Sequence, residues 1–294
     1  MHITLRQLEI FKAVAQCGRV TAAAEVLFIS QPAASMALGE LEKHLGPLFD
    51  RHQGASLSLN DAGRALLPKA CELLDRAVEI EQQFNRDNFY QKGVLKIDSS
   101  STIGNNIMPR IIGNFTEEYP GIRIDLMVGN SRHIVQRILD FDIDMALVEG
   151  ICLHPDIDVT TWCDDELVII CSPLHRLANK SCIALAELAD EPWLLRESGS
   201  GTREVFKEMI VAKIGAPKIK MELNRTEAIK QATADGYGLA CISRLSVCRE
   251  IESGSLATIK VDDLSLKRNF YLIRHKSKYI SRVLQTFSSY LLSC

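Results

Sequence analysis

Apolar positions recur at helical spacing through the first third of the chain. Leu5, Leu8, Phe11 and Ala15 form one stripe over residues 5–16, and Gly18 supplies a stop. A second helix is expected over 22–27 with Thr21 as its cap. Phe28 and Ile29 make a tight turn, and Ser30, Gln31 and Pro32 read as the cap and first turn of a third helix running to about residue 45. Ala34, Ala37, Leu38, Leu41 and Leu45 share its apolar face, which leaves Gln31, Pro32, Ser35, Met36, Gly39 and Lys43 on or near the other. Leu66, Ala70, Leu73, Ala77, Ile80 and Phe84 then alternate four and three residues apart, the spacing of a heptad seam, with Pro68 expected to bend the helix near its start.

Past Gln91, Lys92 and Gly93 the pattern changes to strands at 94–97, 122–128 and 145–148 alternating with helices at 103–118 and 131–139. That alternation predicts an open, largely parallel α/β sheet. A second unit follows, with strands at 167–171, 193–196, 219–223 and 239–242 and helices at 202–214 and 226–234. A strand at 270–274 and a helix at 280–292 return to the first unit. The expected division is a helical unit over 1–60, a long helix over 61–90 and an α/β domain over 91–294. Its first lobe takes 91–163 and 267–294 and its second takes 164–266, with a cleft between them.

Composition narrows the function by exclusion. Of the 294 residues 47% are apolar and 24% charged, which suits a packed globular protein and excludes a disordered scaffold. No apolar run approaches a membrane span, and the first residues carry charges where a signal peptide needs an apolar core, so the chain is expected in the cytoplasm. The nine cysteines form no Cys-x-x-Cys pair and the seven histidines no His-x-x-x-His pair, so buried thiols are expected, and no metal or cofactor. Phosphate-loop and dinucleotide fingerprints are absent from the sequence. In Glu197-Ser198-Gly199-Ser200-Gly201, Ser198 stands where a nucleophile elbow needs glycine, so Ser200 is a poor nucleophile and binding is expected over catalysis.

Two short helices followed by one that begins Ser-Gln-Pro and carries small outward residues suit a helix-turn-helix whose third helix enters a major groove. A three-helix packing module has the same periodicity. Charge does not separate the two, because residues 1–70 hold seven basic and six acidic side chains.

Particular strings do separate them. Leu5-Arg6-Gln7-Leu8 with Phe11, followed by TAAAEVLFISQPAASMALGELEKHLGPLFDR, resembles the N-terminal winged helix-turn-helix of the LysR-type transcriptional regulators. The likeness continues over the whole chain, and SSTIGN, DELVIICSP, SGSGTRE and EAIKQATADGYGLACIS most resemble the YeiE and CysL branch of that family. The resemblance implies a winged helix-turn-helix, a linker helix and a two-lobed effector domain like the periplasmic binding proteins. It implies double-stranded promoter DNA held by Thr21, Ser30, Gln31, Pro32, Ser35 and Arg51. It also implies dimerisation through Leu66, Leu73, Ala77, Ile80 and Phe84, assembly to a homotetramer and contact with RNA polymerase. Three departures qualify the resemblance: Pro47 alone separates Gly46 from Leu48, which shortens the turn into the wing, while the wing lacks a second arginine and Met36 stands where arginine is common, which weakens the DNA grip of each monomer.

Ligands of open α/β sheets sit at the carboxyl ends of strands. Two turns there are rich in hydroxyls. Ser99-Ser100-Ser101-Thr102 closes a strand and opens a helix in the first lobe, and Ser198-Gly199-Ser200-Gly201-Thr202-Arg203 repeats the arrangement in the second. Ser100, Ser101, Thr102, Gly199, Ser200 and Thr202 are therefore expected to bind one small anionic effector. Glu149, directly after the strand at 145–148, is expected to accept a hydrogen bond from a protonated ligand or from Arg203. The branch implies sulfite or sulfate first and a small carboxylate second. A cysteine redox switch is the rival mechanism within a regulator, and a cleft enzyme using Glu149 and Ser200 is the rival from another class.

Overall fold

The computed structural model describes residues 2–84, 92–150, 154–262 and 264–293, so Cys152, Cys294 and positions 85–90 of the expected linker span lie outside the described residues. Helix α1 (Leu5–Cys17) opens on a reciprocal cap: the Thr4 hydroxyl accepts from the Gln7 N–H, and Gln7 Oε1 accepts from the Thr4 N–H. It closes at Gly18, whose φ of 67° is a left-handed conformation that suits glycine. Because this turn is so short, α2 (Val20–Val26) begins before Thr21. Arg19 takes the cap position without a side-chain bond, and Thr21 is an exposed residue of the first turn, which corrects the capping role expected for it. Helix α3 (Gln31–Leu45) starts as the sequence requires, with the Ser30 hydroxyl accepting from the Ala33 N–H at 3.4 Å and Pro32 in the first turn.

Phe11, Val14, Ala23, Ala34, Leu41 and Leu48 form the core of this unit. Strands β1 (Phe49–Arg51) and β2 (Leu57–Leu59) pair antiparallel as a wing, tied to the α1–α2 turn by the Leu57 N–H, which donates to the Gly18 carbonyl at 2.8 Å. Helix α4 (Asp61–Phe84) follows, with Pro68 inside its second turn.

The α/β half runs β3 (Gly93–Ser100), α5 (Ser101–Asn106), α6 (Met108–Glu118), β4 (Ile122–Gly129), α7 (Ser131–Leu139), β5 (Met145–Glu149), β6 (Ile157–Cys171) and β7 (Pro192–Arg196). It continues through α8 (Gly201–Phe206), α9 (Ala212–Ile214), β8 (Lys218–Leu223), α10 (Thr226–Ala234), β9 (Ala240–Ser243), α11 (Cys248–Glu252), β10 (Ala257–Ile259), β11 (Lys267–His275) and α12 (Arg282–Ser293). The single helix expected over 103–118 is two, because Ile107 leaves the helical path at φ −115° and Pro109 has no N–H to bond back to Asn105. A π turn over Lys207–Val211 joins α8 to α9.

The strand expected only at 167–171 is far longer, and this extension organises the domain. The first part of β6 pairs antiparallel with β11, giving a first-lobe sheet in the order β6-β11-β5-β3-β4. Its last residues pair with β9 and β10 in the second lobe, where β7 and β8 also run parallel. Periodicity missed residues 157–166 because Asp164, Asp165 and Glu166 interrupt the apolar alternation. Leu95, Ile97, Phe115, Phe270 and Phe287 fill the first lobe, and Trp193, Phe206, Ile169 and Leu239 the second.

Helix α4 divides its apolar residues. Leu67, Ala70 and Cys71 are buried and Leu66 packs beside them on the helix-turn-helix core, whereas Leu73, Ile80 and Phe84 are 51%, 58% and 76% exposed. Its polar side rests on the first lobe: Lys278 lies 2.8 Å from Asp75, and the Tyr279 hydroxyl donates to Glu79 at 2.5 Å. Phe141, at the end of α7, packs into the helix-turn-helix core.

Candidate functional site

The two hydroxyl turns do converge across the cleft, and they converge on a side chain of the protein. Thr102 and Ser100 come from the first lobe and Thr202 from the second. Glu149 Oε1 accepts from Ser100 Oγ and from the Thr102 N–H at 3.1 Å each, while its Oε2 accepts from Thr202 Oγ1 at 2.8 Å and from Arg268 Nη1 at 3.0 Å. Arg268 extends the network, with Nε donating to Asp165 Oδ2 at 2.7 Å and Nη1 to Thr202 Oγ1 at 3.0 Å, and Ser243 Oγ donates to Asp165 Oδ1 at 2.7 Å. All of these residues are buried.

Burial by itself raises the Glu149 carboxyl, but the Arg268 guanidinium, the hydrogen bonds from Thr102 and Thr202 and the charge of Arg196 more than offset it and bring the group down to about 2. Glu149 is therefore an anion at neutral pH. Its partner corrects the pairing expected across the cleft: Arg203 bonds to Glu222 and to the Arg196 carbonyl, and Arg268 faces Glu149.

Two glycines permit the closeness of the lobes. A Cβ at Gly201 would stand 2.2 Å from the Glu149 carbonyl, and one at Gly199, where φ is 86°, 2.7 Å from Asn130 Oδ1. Around this centre lies a second ring of contacts between the lobes. Asn130 Nδ2 donates to Glu197 Oε1 at 2.7 Å, and buried Arg196 bonds to both Glu197 oxygens and reaches Ser101 Oγ at 3.4 Å. Ser200 is buried at the start of α8. A cavity of about 520 Å³ opens beside Glu149, lined among others by Gly150, Arg132, Val135, Arg268 and Tyr271.

Sequence reasoning missed Arg268, Asp165 and Arg196. A legible mark exists for the first two, since strand alternation places Arg268 on the face of Phe270 and Leu272, and Asp165 on that of Leu167. A charge on an inward position of a strand needs a partner. Nothing local says that the partner of Arg268 lies on β5.

The second candidate surface is the outer side of α3. Thr21, Gln31, Ser35 and Arg51 line one shallow pocket between α3 and the wing, with Arg19 and His52. Gln31 Nε2 donates to Ser35 Oγ at 2.9 Å, and Ser30, Pro32 and Arg51 are exposed. Among the described residues, no group of histidine, cysteine and acidic side chains could hold a metal ion, and no helix is long and apolar enough to cross a membrane.

Comparison with known proteins bears on both surfaces. Residues 5–64 match the family model described as a bacterial regulatory helix-turn-helix protein of the lysR family, and residues 90–293 match the LysR substrate binding domain. The transcriptional regulator YeiE of Escherichia coli is 42% identical over 99% of this chain and 97% of its own length. The CcmR regulatory domain of Synechocystis PCC6803, solved in complex with 2-PG, is 32% identical with a TM-score of 0.65, over 69% of this chain and 97% of that one. A full-length OxyR variant from Pseudomonas aeruginosa, 20% identical, shares the fold over 100% of this chain and 96% of its own with a TM-score of 0.76.

Proposed function

The chain belongs to the LysR family of transcriptional regulators, a DNA-binding helix-turn-helix joined to an effector-binding domain, and from that premise we propose that its effector is a small oxyanion held between the two lobes. Sulfite or sulfate is the first assignment and a small carboxylate the second. The observation that carries the proposal is the convergence on one pair of anionic oxygens of Ser100, Thr102 and Arg268 from one lobe and Thr202 from the other. Donors fixed in this way recognise a small anion through charge-assisted bonds, without a lysine. Gly199 lines the adjoining cavity, Ser101 Oγ accepts from Arg196, Ser200 is buried at the start of α8, and the CcmR regulatory domain, a relative in sequence, holds 2-PG.

At the other end of the molecule Gln31, Pro32 and Ser35 are assigned to base edges, and Thr21, Ser30 and Arg51 to the DNA backbone. The exposed half of α4 pairs two copies, contacts of the effector lobes give a tetramer, and the assembly acts beside RNA polymerase in the cytoplasm. A thiol switch has less support, because burial pushes Cys163 and Cys171 up to about 11 and Cys241 to about 12, and Gly199 and Ser200 occupy the turn between the lobes.

The test is selection of genomic fragments by the purified full-length protein, followed by gel shift of the recovered fragment with sulfite, sulfate and small carboxylates. One of these anions should change the half-point of the shift where chloride at the same ionic strength does not. If every anion leaves the shift unaltered, the effector assignment is wrong. If no fragment is enriched, the operator assignment fails.

A further inference from the structure

The cradle described above is full. A carboxylate has about four lone-pair positions, and Glu149 spends them on Ser100 Oγ, the Thr102 N–H, Thr202 Oγ1 and Arg268 Nη1. No direction remains from which an effector could donate to it or share its donors. A second anion set beside it would face a like charge in a buried site, where repulsion is poorly screened.

We propose that Glu149 is a tethered competitor of the effector: its carboxylate occupies the oxyanion position between the lobes, and the effector binds by displacing it. The inference rests on the anion reading of the cleft and adds how that site is regulated. The displaced side chain has somewhere to go. The cavity of about 520 Å³ adjoins Glu149; its wall carries Arg132, which has no carboxylate partner among the described residues, together with Glu204, which pairs with Lys207, and Glu208, so the displaced carboxylate is directed to the Arg132 side of the cavity. Arg268 borders both positions.

The ligand class follows. A replacement must present two anionic oxygens on one small centre, one for the Ser100 and Thr102 donors and one for Thr202 and Arg268. Carboxylates and the oxyanions of sulfur and phosphorus do so, and neutral alcohols and amines do not. The competitor also weakens every such ligand, so the regulator responds to a high concentration of effector and ignores a trace.

Full-length Glu149→Gln and Glu149→Ala proteins test this, both purified in formate that is then removed. In calorimetry with sulfite and with sulfate, Glu149→Gln is expected to bind about tenfold more tightly than wild type. Glu149→Ala leaves a space of carboxylate size. Formate at millimolar concentration should therefore raise its melting temperature while leaving wild type unmoved, with chloride at the same ionic strength inert on both. Equal or weaker binding by Glu149→Gln of an oxyanion that wild type binds measurably overturns the proposal, because Glu149 would then be a ligand or a bystander. So does an equal response of wild type and Glu149→Ala to formate. Formate rescue without sulfite or sulfate binding in either protein would support the cradle and remove those two ions as effectors, whereas loss of both signals would remove the anion reading itself.

Discussion

Lys278 shows how much one buried cation can hold in place. It stands 2.8 Å from Asp75 of α4 and 2.8 Å from Asp144 ahead of β5, with almost no contact with solvent. Burial alone would lower its ammonium group, but the two carboxylates raise it well above the usual lysine range. Its contribution is therefore complete below the ordinary lysine value and lost only as pH climbs through the raised one. Lys278→Met should destabilise the protein by about 3 kcal/mol, the lower end for a broken buried pair because both carboxylates keep some solvent. Urea midpoints would measure this, and Asp75→Asn with Asp144→Asn in the same chain should recover much of the loss. On the DNA side, Gln31→Ala or Ser35→Ala should cost about 1–3 kcal/mol on the selected operator and little on random DNA. Arg51→Ala should weaken both and reduce the salt slope by about one. Fluorescence anisotropy over a salt series reads all three.

Element α4 is where one pattern serves two purposes. Its heptad spacing is continuous from Leu66 to Phe84, yet the first turns are spent within the chain, with Ala70 buried against the helix-turn-helix core. The later turns leave Leu73, Val78, Ile80 and Phe84 exposed on a helix whose acidic side already rests on Lys278 and Tyr279. A second copy of α4 is the assigned occupant of that stripe. Glutamates at Leu73 and Ile80 would put like charges into an apolar seam, where burial without partners is costly. The double variant is expected to elute smaller from a sizing column and to lose operator binding while its circular dichroism stays unchanged.

Across the whole molecule the lobes are joined by charge, and acid should show it. Holding the Glu149 carboxyl near 2 against an ordinary 4.5 corresponds to about 3 kcal/mol of stabilisation at neutral pH. Because the folded value is depressed, that contribution is present above about 4.5 and disappears as pH falls toward 2. Asp98, Asp140 and Asp142 act in the opposite sense, since burial raises each of them and the folded protein takes up their protons first. Stability should therefore hold or rise slightly as pH falls toward 5 and then drop steeply. The stability difference between wild type and Glu149→Gln, read from urea midpoints, should shrink over pH 4 to 2. A constant difference across that window would show that the charge of Glu149 contributes nothing.

Local order in the first sixty residues is written in the sequence. Ser30 before Pro32, Gly18 after the first stripe and the spacing of Ala34, Leu38 and Leu41 act over three or four positions, so these caps and this apolar face come out as read, whereas Thr21 caps nothing and Leu5 and Leu45 are exposed at the ends of their stripes. The hydroxyl turns at 99–102 and 198–203 were legible for the same reason: each ends a strand and opens a helix, and both meet at one cleft. What fills the space between those turns was decided by topology. Arg268 reaches Glu149 because β11 lies between β5 and β6, an adjacency set by pairing strands more than a hundred residues apart. Tertiary packing also set the division of α4 between two neighbours. A pattern along the chain marks which side chains must find partners, and only the closed fold determines which groups lie close enough to be those partners.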